Sequence, residues 1–210
     1  MKLRKISLSH VPLWRYQEYI TKEDQTQDDL LKCFLNLTSK ELKQIPINHI
    51  ELYLEQIKKL LSKEYELVRI FEMRGKKYGF IPKLDDITYG ENTDATKYIT
   101  EYGSMHKAMA VLYRPITQKI RNKYLIEEYS GSYKFAEEMK HMPLDIVLGS
   151  IVFFYSLTNE LLNCIPKYLL KEVKKMDSTQ RRNLEKSGQD IQNSMLLVKE
   201  ILGDLIPSQK

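Results

Sequence analysis

Long apolar runs, cysteine, glycine and proline are all scarce in this sequence, and each shortage removes a class of protein. The longest uncharged apolar stretch, Ile146 to Asn159, is 14 residues, short of the roughly 20 that a membrane-spanning helix needs. It also carries Ser150, Ser156, Thr158 and Asn159. The basic start, MKLRKISLSHVPLW, lacks the apolar core of a signal peptide. Two cysteines in 210 residues exclude a disulfide-stapled secreted scaffold and point to a reducing compartment. Eight glycines and seven prolines exclude collagen-like and low-complexity chains. What remains is 42% hydrophobic and 29% charged, enough apolar surface to offset chain entropy. A soluble globular protein with no membrane partner is expected.

Helical periodicity dominates the first 64 residues. Trp14, Tyr16, Tyr19 and Ile20 follow Pro12, and the polar stretch 22–27 breaks the pattern. Leu30, Leu31, Phe34, Leu35 and Leu37 predict a second helix over 28–37. Thr38 followed by Glu41 is a capping box. Pro46 ends that short helix, and Asn48 is placed to cap the next, with its stripe at Ile50, Leu54, Ile57, Leu60 and Leu61. The period then changes. Residues 67–71 and 77–81 are β-prone runs around Gly75, which supplies the positive φ of a tight turn, so they predict a hairpin.

Helices are expected again at 93–102, 105–113 and 131–142. Pro143 opens the long core helix that contains the apolar stretch 146–159; Pro166 breaks or kinks it near its end, and residues 167–176 are placed to extend it. Amphipathic helices at 179–188 and 190–203 finish the chain. The expected architecture is mainly α: a multi-helix globular domain around a central apolar helix, with one small β-hairpin. It divides into an N-terminal helical lobe (1–64), a hairpin plus central helical core (65–176) and C-terminal amphipathic helices (177–210), together one cooperative unit.

The motifs of common chemistries are missing. No three glycines give GxGxxG, and Gly75-Lys76 lacks the rest of a Walker loop. The four histidines are far apart, and Cys33 and Cys164 each sit among apolar helical residues as small hydrophobes. No serine stands in GxSxG. The densest acidic cluster is Asp85, Asp86, Glu91 and Asp94, but around Gly90 the calcium-loop positions hold Tyr89, Ile87 and Asp85 before it and Thr96 after it. No catalytic residue, metal or cofactor is expected. The cluster fits a turn that places negative charge at a helix start, or an acidic loop that docks a basic partner.

Basic charge gathers elsewhere. Between Glu101 and Glu127 there is no acid, while Lys107, Arg114, Lys119, Arg121 and Lys123 alternate with Tyr102, Tyr113 and Tyr124. Residues 167–186 are also basic. Cations with interleaved aromatics suit phosphate contact and base stacking, and Lys107, Lys119, Arg121 and Lys123 are the candidate nucleic-acid contacts.

One succession of strings carries a resemblance. Tyr78-Gly79-Phe80-Ile81-Pro82-Lys83-Leu84-Asp85-Asp86-Ile87-Thr88-Tyr89-Gly90-Glu91 precedes Met105-His106-Lys107-Ala108-Met109-Ala110-Val111-Leu112-Tyr113-Arg114-Pro115-Ile116, then Tyr129-Ser130-Gly131 and Val152-Phe153-Phe154-Tyr155. Over residues 65–165 this is similar to small proteins of tailed bacteriophages, including crAss-like phages and other phages of Bacteroidetes and marine bacteria. The resemblance implies a non-enzymatic virion-assembly protein, a head–tail connector or ring component or an assembly chaperone. It would act in the cytoplasm of an infected bacterial host or in the virion, through other phage proteins or through copies of itself. Asp85, Asp86, Glu91 and Arg114 are the candidate partner contacts. A basic nucleic-acid-binding protein is the alternative.

Overall fold

The structure is a computed structural model that describes residues 5–84, 87–154 and 156. Cys164, Pro166, the basic stretch 167–186 and the helices expected at 179–188 and 190–203 lie outside the described residues. The N-terminal helices follow their sequence signals closely. They are α1 (Leu13–Ile20), α2 (Gln27–Leu35), α3 (Ser39–Leu42) and α4 (Ile47–Leu61). The Thr38–Glu41 capping box is complete: the Thr38 amide donates to Glu41 Oε2 at 2.7 Å and the Glu41 amide donates to Thr38 Oγ1 at 3.3 Å. Pro46, not Asn48, stands at the cap of α4, which suits proline because the first amides of a helix have no acceptor anyway. The buried stripe of α4 runs through Tyr53, Ile57 and Leu61.

The expected single hairpin is corrected by the structure. Strands β1 (Ile70–Met73) and β2 (Lys76–Phe80) form it, with Arg74 and Gly75 both at positive φ in the two-residue turn. A second hairpin follows from β3 (Tyr113–Ile120) and β4 (Lys123–Ile126), and the four strands make one antiparallel sheet in the order β1-β2-β3-β4. Among the described residues about 54% are helical and 15% in strands, so the fold is a mixed α+β fold rather than mainly α. Proline drives the change of period. Pro115 pushes Arg114 out of helical space, and Ile116, Thr117, Ile120, Tyr124 and Ile126 are good strand formers. Thr117 marks a bulge in the register between Ile116 and Gln118.

Three further α-helices follow: α5 (Tyr89–Ile99), α6 (Met105–Leu112) and α7 (Tyr133–Met139). A fourth, α8, spans residues 144–154. Helix α5 starts earlier than the expected 93–102, because Thr88 caps it. Of the apolar stretch 146–159 expected as a core helix, the described part to residue 154 is helical, and Leu144, Val147, Leu148, Ser150 and Ile151 of α8 are buried. It packs beneath an aromatic group in which Phe80 meets Tyr113 at 5.2 Å and Phe153 at 5.6 Å between ring centres. The Tyr113 hydroxyl lies 2.8 Å from both the Val68 carbonyl and Ser150 Oγ, which in turn donates to the Ile146 carbonyl.

A single buried apolar cluster runs from Ile6 to Ile151 and joins the N-terminal helices to the sheet. Main-chain bonds tie the same parts. Pro12 and Pro143 form a bridge, with the Leu13 amide on the Met142 carbonyl and the Leu144 amide on the Val11 carbonyl, both at 2.9 Å. Gln17 of α1 donates to the Tyr102 and Gly103 carbonyls at 2.8 and 2.9 Å and meets His106 Nδ1 at 3.1 Å. Burial and the nearby Lys140 and Lys107 hold His106 below the usual histidine range, so it sits neutral in the core. Glu138 of α7 clasps the sheet, taking Lys76 Nζ at 2.8 Å and the Tyr78 hydroxyl.

Helix α8 lies so close to the chain entering β1 that a methyl at Gly149 would stand 2.3 Å from the Glu66 carbonyl oxygen. Gly149→Ala is expected to cost about 1–3 kcal/mol of stability, the usual cost of overpacking, seen as a lower urea midpoint. Gly103→Ala, whose methyl would make an ordinary 3.9 Å contact with Thr21, is expected to change it by less.

Candidate functional site

The acidic turn and the arginine ahead of Pro115 were expected to face a partner. Asp85 and Asp86 lie outside the described residues. Glu91 and Arg114 face each other instead: Arg114 Nη2 is 2.5 Å from Glu91 Oε1, and the two side chains are only 7% and 5% exposed. As surface contacts they are therefore corrected. Glu91 is the third residue of α5, and its Oε2 accepts the Thr88 amide at 2.8 Å while its own amide donates to Thr88 Oγ1. One carboxylate thus caps the helix with one oxygen and holds the arginine with the other. Burial opposes ionisation of Glu91, but the Thr88 amide and hydroxyl and the Arg114 guanidinium outweigh it and keep its carboxyl below the usual range.

Arg114 reaches this place from β3, where it pairs with Gly79 of β2. Its guanidinium carbon sits 5.5 Å from the centre of the Tyr129 ring, and the Tyr129 hydroxyl donates to Asp94 of α5. Nε and Nη1 of Arg114 have no hydrogen-bond partner among the described residues. With both oxygens of Glu91 engaged and its carboxyl held ionised, the pair serves to fix α5 against β3. The signal for this was present in the sequence: Thr88–Glu91 repeats the T-x-x-E pattern of Thr38–Glu41.

The four basic candidates separate. Lys107 lies half-buried on α6, its ammonium 5.4 Å from the Tyr98 ring and 5.6 Å from the Tyr133 ring. Lys119, Arg121 and Lys123 come together at the exposed end of the β3–β4 hairpin. The tyrosines interleaved with them in sequence do other work. Tyr113 is fully buried, and the Tyr124 ring lies over Gly79, whose missing side chain makes room for it. The Tyr124 hydroxyl donates to the Phe80 carbonyl at 2.7 Å.

The hairpin therefore has an inner and an outer face. Ile116, Lys119, Tyr124 and Ile126 share the side turned to β2, as the pairs Ile116↔Ile126 and Lys119↔Tyr124 require. The bulge flips the alternation, so Gln118, Ile120, Lys123 and Leu125 share the other side. There Ile120 is 69% and Leu125 59% exposed. Nothing in the sequence reading marked these two residues, although I-R-N-K between β-prone runs was available as a turn signal.

No protein-family model, curated protein or solved structure matches the chain. Among the described residues, no group of three or more His, Cys, Asp and Glu side chains is placed to hold a metal ion, and no helix is long and apolar enough to cross a membrane. Cys33 is buried, and burial pushes its thiol up to about 12.

Removing one member of a buried ion pair strands the other charge. Arg114→Ala and Glu91→Ala are each expected to cost about 3–5 kcal/mol, and a double-mutant cycle in urea should show that the two losses do not add. The pH dependence has a defined sign. Because the folded carboxyl of Glu91 is held below its unfolded value, it stabilises the fold above pH ~4.3 and loses that contribution as pH falls through the folded value. The stability gap between wild type and Glu91→Gln should therefore narrow as thermal melts are moved from neutral to acid pH.

Proposed function

We propose that this chain is a non-enzymatic protein of a tailed phage that works by protein–protein contact during virion assembly, as a head–tail connector or ring component or as an assembly chaperone. The observation that carries the contact is the outer face of the β3–β4 hairpin. A small hairpin that exposes Ile120 and Leu125 beside Arg121 and Lys123 has apolar anchors bordered by charge, the composition of a protein-binding surface. Its cations favour a partner segment that is acidic and apolar. The phage assignment is supported by the strings within residues 65–165. Asp85 and Asp86 belong to the same proposal as acidic contacts, whereas buried Glu91 and Arg114 act by holding the turn and the hairpin base together.

A second reading, a basic nucleic-acid-binding protein, is favoured by the three cations gathered at the hairpin tip, since a two-stranded ribbon can enter a nucleic-acid groove. Against it, Tyr113 and Tyr124 are committed to packing and leave no stacking platform at the tip.

The two readings separate experimentally. Ile120→Asp with Leu125→Asp places charges on exposed positions and should leave the fold intact. Lysate of phage-infected cells is passed over immobilised wild-type and variant chains. A phage structural protein retained by the wild type and reduced about tenfold or more by the variant supports the contact reading. Equal retention by both overturns it. Nucleic acid retained at low salt, lost at high salt and indifferent to the apolar substitutions moves the assignment to the second reading.

A further inference from the structure

The hairpin surface has a counterpart on the same chain. Residues 18–29, which join α1 to α2, contain five acids, Glu18, Glu23, Asp24, Asp28 and Asp29, and one cation, Lys22. That cation is already taken, with Lys22 Nζ 2.6 Å from Asp29 Oδ1, a bond that holds the Asp29 carboxyl down to about 2. Glu18, Glu23, Asp24 and Asp28 are exposed and unopposed by other cations of this segment. Tyr19, Ile20 and Leu30, next to these acids in sequence, pack against the core but stay half-buried. Residues 116–126 have the reverse chemistry: three cations, no acid and two exposed apolar side chains. Within one copy the two surfaces serve different neighbours. The hairpin packs mainly on β2 and α6, and the α1–α2 pair mainly on α3, α4 and α6.

We propose that the outer face of the β3–β4 hairpin docks on the α1–α2 turn of a second copy of this chain. This rests on the hairpin being the contact surface and names its occupant. Charge and apolar pattern select the second copy: Arg121 at the turn and Lys123 on the outer face meet Glu23, Asp24 and Asp28, while Ile120 and Leu125 meet the half-buried Tyr19, Ile20 and Leu30. The contact joins two different patches, so every copy added leaves one hairpin and one turn open. Such a head-to-tail contact extends until the rotation closes it into a ring, or continues as a filament.

Charge reversal in both directions tests it on the full chain. The variants are Arg121→Glu with Lys123→Glu, and Glu23→Lys with Asp24→Lys and Asp28→Lys; all five positions are exposed. Sedimentation velocity is run at about 0.1 M and about 1 M salt, where charges are felt over about 10 and 3 Å. The wild type should self-associate at the lower salt and weaken at least about tenfold at the higher. Each variant alone should be monomeric, and an equimolar mixture of the two should associate again, because each reversed surface then finds an opposite. A wild type that stays monomeric at the lower salt overturns the inference, as does association that survives both reversals or a mixture that fails to associate. If the monomeric wild type still captures a phage protein through Ile120 and Leu125, the contact reading stands and only its homotypic form falls. If self-association follows the reversals but no phage protein is captured, the homotypic contact stands without a heterologous partner.

Discussion

Two opposite charges buried side by side fix how this fold is assembled. Glu91 and Arg114 each lie in surroundings that would strongly disfavour either charge alone. Neither can settle until α5 has begun at Thr88 and β3 has left α6 in the right direction. The pair therefore imposes a common condition on the start of a helix, the start of a strand and the loop that carries Tyr129. It also aims the second hairpin, because β3 runs outward from Arg114, and everything displayed at residues 116–126 inherits its direction from that anchor.

The local signals of the sequence were legible where one short element explains its own residues. The Thr38–Glu41 box, the turn at Gly75 and the apolar helix after Pro143 all depend on neighbours within a turn or two, whereas α3 ends at Leu42, before Pro46, which caps α4 instead. The second hairpin was not read, because its strands are short and its cations masked the alternation. Lys119, Arg121 and Lys123 looked like a charged stretch, and the bulge at Thr117 shifts the period so that Ile116 and Ile120 fall on opposite faces. The burial of Arg114 was illegible for a different reason. Only tertiary structure shows that an arginine beside a proline will meet a carboxylate on a helix more than twenty residues away. The Thr88–Glu91 box was visible but was obscured by the acids around it, which suggested a docking loop.

The placement of aromatic residues alters how the basic region is understood. A sequence that alternates cations with tyrosines resembles a nucleic-acid groove, yet here Tyr113 fills the core and Tyr124 covers a glycine on the adjacent strand. Their ring faces stabilise the base of the hairpin, leaving charge and two aliphatic side chains at its end. A surface of that kind recognises shape and charge together. It has little to offer a base that must be stacked.

The bridge between Pro12 and Pro143 has a consequence for synthesis. A chain leaving the ribosome emits α1 long before the segment around Met142 and Leu144 that its backbone must bond. Until that segment emerges, the first helices have nowhere to close their core, and Leu13, Tyr16 and Phe34 stay open to water or to whatever binds nascent apolar chain. Closure of that core is thereby deferred until the sheet and then the start of α8 have both emerged. Chains truncated before Met142 would leave these bonds unmade and would be open to early removal by proteases.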